Sequence, residues 1–215
     1  MDQAAGLLPS VSSPFCVTAR TQTRGRGKPG RKWHDTAAES LLITFAFPCL
    51  RPAGEYSFAA GLAVRRTLLG VCGLDTRLKW VNDLYAGGRK LCGILCEKAS
   101  CGGAAYMTIG IGINVRSSAF PPGLRATSVL LETGRLIEPQ VLTLPLSREL
   151  ERCLELPFDE IIGEWSSHML LLNERASVAC GSSSVTGVIR GVDREGRLLV
   201  ETGSGLQRLS SGTFL

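Results

Sequence analysis

Residues 19–33 read ARTQTRGRGKPGRKW, and no core element can be built from them. Between Arg20 and Lys32 the segment packs six basic residues and three glycines into thirteen positions without one acidic residue, and it closes on Trp33. Glycine lets a backbone approach a ligand closely, Pro29 stiffens the turn, and Lys and Arg side chains complement phosphate or carboxylate. The segment reads as an anion-gripping loop. A Lys/Arg-rich run is equally the mark of a solvated face or a nucleic-acid patch, so the flanks decide.

The flanks predict strands on both sides. Residues 15–19 (FCVTA) form a short strand entering the loop, and residues 40–47 (SLLITFAF) a buried strand leaving it. Residues 55–71 place Phe58, Leu62, Arg65, Arg66 and Leu69 at helical spacing, with Gly70 and Gly73 near the end, which predicts an amphipathic helix. A short strand over residues 77–80, a turn at Asn82-Asp83 and a hairpin connection at Gly87-Gly88 lead into a strand over residues 90–97. Residues 105–115 (AYMTIGIGINV) form a long strand in which Gly110 and Gly112 alternate and so share one face. Glycine inside a strand marks a bulge or the close approach of another group, and that face is where a flat ligand such as a nucleobase belongs. Residues 139–172 turn helical, broken by Pro157. Beyond Asn173 short β-rich runs over residues 176–180, 185–192 and 198–201 alternate with turns, which predicts a small antiparallel barrel.

A chain of 215 residues, 44% hydrophobic and 20% charged, supports one substantial core and a small second domain. The longest apolar run, residues 41–47, is interrupted by Thr44 and is far short of a membrane span. The opening MDQAAGLLPS lacks the basic and apolar regions of a signal peptide, so a cytoplasmic location is expected. Eight cysteines are scattered; Cys92, Cys96 and Cys101 come nearest to ligand spacing, but no CxxC pair exists and the histidines are His34 and His168. Small buried thiols, not a metal site, are expected. A net charge of +5 and a pI near 8.9 suit an anionic ligand or an acidic partner.

Four pieces stand in series: GRGKPGRKW (Gly25 to Trp33), LKWVND (Leu78 to Asp83), GRKLCGILCE (Gly88 to Glu97) and GIGINV (Gly110 to Val115). In this order they resemble the biotin protein ligases, whose patterns are GRGRxGRxW, KWPND, RKLAGILxE and GxGxNV, and VTGVIRGVDREGRLLVET resembles that family's SH3-like barrel. The resemblance implies an α+β fold, with a biotin/lipoate ligase-like catalytic domain of mixed sheet and flanking helices over residues 1–173 and an SH3-like barrel over 174–215. It implies ATP-dependent ligation of biotin, through biotinyl-5′-AMP, to a lysine of a biotin carboxyl carrier protein, with Mg²⁺ brought in with ATP. A monomer or homodimer without DNA or membrane partners is expected.

By the same resemblance, Gln22 and the segment Arg26-Gly27-Lys28 contact biotin or its adenylate, and the loop folds over the ligand. Lys90 contacts the biotin carboxylate and the adenylate phosphate; Lys79, Asn82 and Asp83 lie at the nucleotide, with Asp83 near Mg²⁺ or the carrier lysine; Asn114 reaches the adenine. Lys90, Arg26 and Asp83 are the catalytic candidates, with Gly25, Arg31, Trp33, Gly93 and Gly112 completing the binding set. Each has a plain alternative: Lys90 as a solvated hairpin lysine, Asn82-Asp83 as an Asx turn, Trp33 as core. Two residues depart from the pattern, Lys28 for arginine, which loses a bidentate fork, and Val81 for proline. The family's Ser-Thr-Asn segment, which holds the biotin ring, has no counterpart. Met1-Asp2-Gln3-Ala4 resembles the residues that in the family come directly after that segment, so a late start is expected. The end at Leu215 lacks an arginine that the family uses near ATP, and with no helix-turn-helix a repressor role is not expected. A lipoate or octanoate ligase or transferase of the same fold, and a non-catalytic nucleic-acid-binding module, are the alternatives.

Overall fold

In the computed structural model, which describes residues 1–10, 14–23, 25–27, 33 and 39–215, alternation along two long apolar strands sets the architecture. The strands β1 (Phe15–Ala19), β2 (Ser40–Pro48), β3 (Arg77–Lys79), β4 (Asp83–Ala86), β5 (Arg89–Cys101) and β6 (Ala104–Asn114) form one sheet in the order β1-β2-β6-β5-β4-β3. Its ladders are antiparallel, and the parallel part of this mixed sheet consists of single bridges, Leu78 to Met169 and Lys90 to Ala126. Period-two side-chain direction sends Leu41, Ile43 and Phe45 of β2 and Ile109, Ile111 and Ile113 of β6 into the core. Leu42, Thr44, Gly110, Gly112 and Asn114 are thereby left for the opposite face, where a cavity opens.

The core face is covered by α2 (Ala53–Cys72), with α4 (Thr143–Glu155) and α5 (Phe158–Ser167) packed over it. The expected amphipathic helix is instead buried nearly all round, because it lies between a sheet and a second helical layer. Arg65 is only 7% exposed, and its guanidinium donates to Asp75 at 2.7 Å. Arg66 donates to Glu164 of α5. Gly73, at φ +67°, ends α2: its N–H donates to Leu69 O and that of Leu74 to Leu68 O, a left-handed cap that a residue with a Cβ adopts at a cost. Pro157 separates α4 from α5 as expected, but the helical segment stops at Ser167 and does not reach Leu172. Two short helices had no periodic signal, α1 (Asp2–Leu7) and α3 (Val129–Thr133).

A second antiparallel sheet contains β7 (Arg175–Cys180), β8 (Ser183–Val192), β9 (Leu198–Thr202), β10 (Gly205–Leu209) and β11 (Thr213–Phe214), in the order β10-β9-β8-β7-β11. The last two strands were not anticipated, since β10 is largely exposed and β11 is two residues long. This sheet is locked to the first by aromatics. Trp80 Nε1 donates to Gly196 O at 3.0 Å, and Gly196 lies against the ring of Phe58 in α2, which itself packs edge-on against Phe158 and Trp165 of α5. Gly196 has φ +75°, and a Cβ there would lie 2.8 Å from the Phe58 ring, so glycine is required twice over.

Candidate active site

The floor of the cavity is a patch of sheet with its side chains removed. Gly112 pairs with Leu42 on one side and Gly93 on the other, and Gly110 with Thr44 and Leu95. Two rows result, Leu42–Gly112–Gly93 and Thr44–Gly110–Leu95, of which the first has no Cβ over two adjoining strands. The shared face expected for Gly110 and Gly112 is therefore real, and groups from elsewhere in the chain rest on it. The Trp33 indole lies 2.7 Å from where a Cβ would stand on Gly112 and 3.0 Å from that of Gly93, while Met1 Sδ lies 2.7 Å from that of Gly110.

Lys90 reaches this floor through an irregularity that the sequence pattern did not announce. Tyr85 pairs with Lys90 but Leu84 with Cys92, so Leu91 is an extra residue in β5. Leu91 and Cys92 are both fully buried, and the bulge returns Lys90 to the face of Gly93, three residues on. Lys90 Nζ sits 3.3 Å from the Cβ position of Gly93, 5.8 Å from the Trp33 ring centre, and 2.7 Å from Asp83 Oδ1. Asp83 opens β4, so the expected turn lies one residue earlier, over Trp80 to Asn82. Asn82 is fixed twice to Ile94: its Nδ2 donates to Ile94 O at 2.7 Å, and Ile94 N–H donates to Asn82 O at 2.8 Å. Asn114 is 4% exposed, and its Nδ2 donates to Thr127 O at 2.9 Å.

The described part of the basic loop closes over the other side. Trp33 N–H donates to Gly25 O at 3.1 Å, and a Cβ on Gly25 would lie 2.6 Å from Trp33 O and 3.1 Å from Gln22 Oε1, so this position requires glycine. Arg26 points to carboxylates, bonding Asp2 at 2.5 Å and Glu97 at 3.3 Å. Trp33 Nε1 is buried without a hydrogen-bond partner among the described residues, a donor that a ligand acceptor would satisfy. Lys28 and Arg31 lie outside the described residues.

Together these groups enclose a cavity of about 710 Å³, within the range of small-molecule and cofactor sites. Of the residues singled out from sequence, Gln22, Arg26, Gly27, Trp33, Lys79, Asn82, Asp83, Lys90, Gly93, Gly112 and Asn114 line it; Gly25 stands at the loop base instead. Sequence reasoning passed over Phe120, Leu124, Arg125 and Ala126, which lie in a stretch without periodicity, and Phe214 from the second sheet. Lys79 Nζ approaches the rings of Tyr85 and Phe214, at 5.0 and 5.6 Å from their centres, so the second sheet reaches the site. Cys92, adjacent to this wall in sequence, is fully buried with its thiol pushed up by burial, and supplies no thiolate nucleophile. Where a flat ligand was expected on this glycine face the Trp33 indole lies instead, so the arrangement offers an aromatic wall resting on Gly93 and Gly112 and cations for at least one anionic end.

Comparison with known proteins agrees with the geometry. The profile of the biotin/lipoate A/B protein ligase family matches residues 6–114, and that of the biotin protein ligase C-terminal domain residues 176–215. A biotin--[acetyl-CoA-carboxylase] ligase of Paracoccus denitrificans is 32% identical over 95% of this chain and 91% of its own. The bifunctional ligase/repressor BirA of Escherichia coli is 31% identical over 88% of this chain, which spans 62% of that relative's length. Among solved structures, the biotin protein ligase of Aquifex aeolicus in complex with biotin and ATP superposes with a TM-score of 0.86 at 29% identity, covering 96% of this chain and 90% of that one.

Proposed function

This chain belongs to the biotin/lipoate A/B protein ligase family, and on that premise we propose that it uses ATP to join biotin to a lysine of a biotin carboxyl carrier protein. The observation that carries this reading is the aim of Lys90: a lysine turned by a bulge over a side-chain-free floor and held there by Asp83. In the first step a biotin carboxylate oxygen attacks the α-phosphorus of MgATP, the bond to the β-phosphate oxygen breaks, and pyrophosphate leaves. In the second the acceptor amine attacks the acyl carbon of biotinyl-5′-AMP, AMP departs with the bonding pair, and the amine loses its proton.

The difficulty of the first step is the repulsion between two anions, and a preorganised cation offsets it without reorganisation during reaction. Lys90 Nζ does this at the carboxylate and α-phosphate, with Asp83 limiting its rotation. Arg26 exchanges Asp2 and Glu97 for ligand phosphate, assisted by Lys28 and Arg31. Gln22 and Gly27 contact biotin or the adenylate, Trp33 is the apolar wall, and Gly93 and Gly112 form the floor. Lys79, Asn82 and Asn114 line the nucleotide side. Mg²⁺ enters as part of the MgATP substrate. Residues 1–173 form the catalytic unit and 174–215 the smaller C-terminal one.

The test is incubation with MgATP and either biotin or lipoate, followed by mass spectrometry of the acyl-adenylate. Biotinyl-5′-AMP is expected, with little or no lipoyl-AMP. Absence of biotinyl-5′-AMP, or a preference for lipoate, overturns the assignment.

A further inference from the structure

Glu132 stands on α3, outside the cavity lining, yet its carboxylate meets two pieces of chain that flank Lys90, the hairpin at residues 87–89 and Thr127. Its Oε1 accepts from Arg89 Nη2 at 2.8 Å and from Thr127 Oγ1 at 2.5 Å. Its Oε2 lies 2.9 Å from where a Cβ would stand on Gly87, whose φ is +53°, so the hairpin glycine leaves room for the carboxylate. The Glu132 side chain is 13% exposed against 45% for Arg89, which makes the carboxylate the inner partner of that pair. A charged acceptor with two donors and little water is a stiff joint.

What the joint holds is the backbone of Lys90. Lys90 N–H donates to Arg125 O at 3.0 Å, and Lys90 O accepts from Thr127 N–H at 2.9 Å, a parallel bridge to Ala126. Through Thr127 the carboxylate braces the segment paired with Lys90, and through Arg89 it braces the residue just before it. Asn114 ties the same Thr127 to β6. We propose that Glu132 is a positioning residue for Lys90, setting the placement of its amine over the floor without touching substrate. This inference rests on the role given to Lys90 above. A small displacement of that amine weakens its grip on a carboxylate and phosphate, because the field it supplies depends on distance and direction.

The experiment measures, by calorimetry, affinity for a non-hydrolysable biotinyl-adenylate analogue, alongside thermal melting. Glu132→Gln, Thr127→Val and Thr127→Ser are each compared in the native and Lys90→Ala backgrounds. Glu132→Gln and Thr127→Val are expected to weaken binding about tenfold or more, equivalent to ~1.4 kcal/mol, while Thr127→Ser, which keeps the hydroxyl, stays near the native affinity. In the Lys90→Ala background the Glu132→Gln loss is expected to vanish. If Glu132→Gln does not fold, Thr127→Val, which leaves the Arg89 pair in place, carries the same comparison. An equal loss in both backgrounds assigns Glu132 a general structural role and overturns the proposal, as does native affinity in Glu132→Gln and Thr127→Val where Lys90→Ala loses it. If Lys90→Ala itself binds the analogue normally, the role of Lys90 fails and the inference with it.

Discussion

Gly93 and Gly112 face each other across β5 and β6, and the two missing Cβ atoms make the floor on which Trp33 rests. Gly112→Val places a branched side chain where the indole lies 2.7 Å from the Cβ position. Overpacking of this kind costs about 1–3 kcal/mol, which we expect to appear mainly as a roughly 5- to 150-fold loss of biotin affinity by calorimetry, the loop being displaced from the floor. Lys90→Ala removes a cation aimed at the reacting anions, and loss of one such group costs about 10²–10³ in rate. Adenylate formation in that variant should fall by this amount, while removal of Asp83's partly buried partner lowers stability by about 1 kcal/mol. The thiols give a check on burial. Burial pushes Cys96 up to about 12 and Cys153 to about 11 and raises Cys16 as well, but of the three only Cys16 is an exposed residue. Iodoacetamide at neutral pH should alkylate Cys16 well before either of them, by peptide mass mapping. At this scale the glycines were legible because alternation follows from strand geometry alone. The aim of Lys90 was not, because it depends on a bulge whose only trace is the adjacent apolar pair Leu91-Cys92 interrupting the alternation.

Between elements, the joint of α2 with α5 responds to pH. Arg66 hydrogen-bonds Glu164 and holds its carboxyl below the ordinary 4.5. A carboxylate with a depressed folded pKa contributes stability that is complete above its unfolded value and lost as pH falls through its folded value. Thermal melting should therefore decline as pH drops from about 4.5, and Glu164→Gln should be less stable at neutral pH and show a shallower acid decline. Equal acid slopes for the two proteins would assign the decline to other groups. The succession of strands and the long helix along residues 15–115 was legible because periods of two and of 3.6 are local properties, whereas the order in which the strands pair was not. The burial of α2 was not, since Arg65 and Arg66 mark a solvated stripe in a lone helix, whereas in the fold Arg65 is buried with its guanidinium on Asp75 and Arg66 is half-buried against Glu149 of α4 and Glu164 of α5. Likewise α3, five residues long, carries no period, and its Glu132 was invisible until the chain had folded.

Across the whole molecule, the two sheets share aromatic packing and one site. Phe58 lies under Gly196, Trp80 donates to Gly196 O, and Lys79 approaches Phe214, so the second sheet packs on the first unit and also contributes to the cavity wall. Gly196→Val drives a side chain into the Phe58 ring from a left-handed backbone, and we expect a loss of about 1–3 kcal/mol in denaturant unfolding. Separate transitions for the two sheets would contradict this account of the interface, which predicts one. The four-part motif series made the family legible in the sequence, because each part marks a place where backbone or charge must meet a ligand. The share of the second sheet in the cavity was not, since contact between distant segments leaves no local pattern. The most direct test of the central claim is the intact mass of a biotin carboxyl carrier domain after incubation with this protein, biotin and MgATP. The account predicts the addition of one biotinyl group on a single lysine, dependent on ATP and strongly reduced with Lys90→Ala; an unmodified carrier, or equal modification by the Lys90→Ala protein, would contradict it.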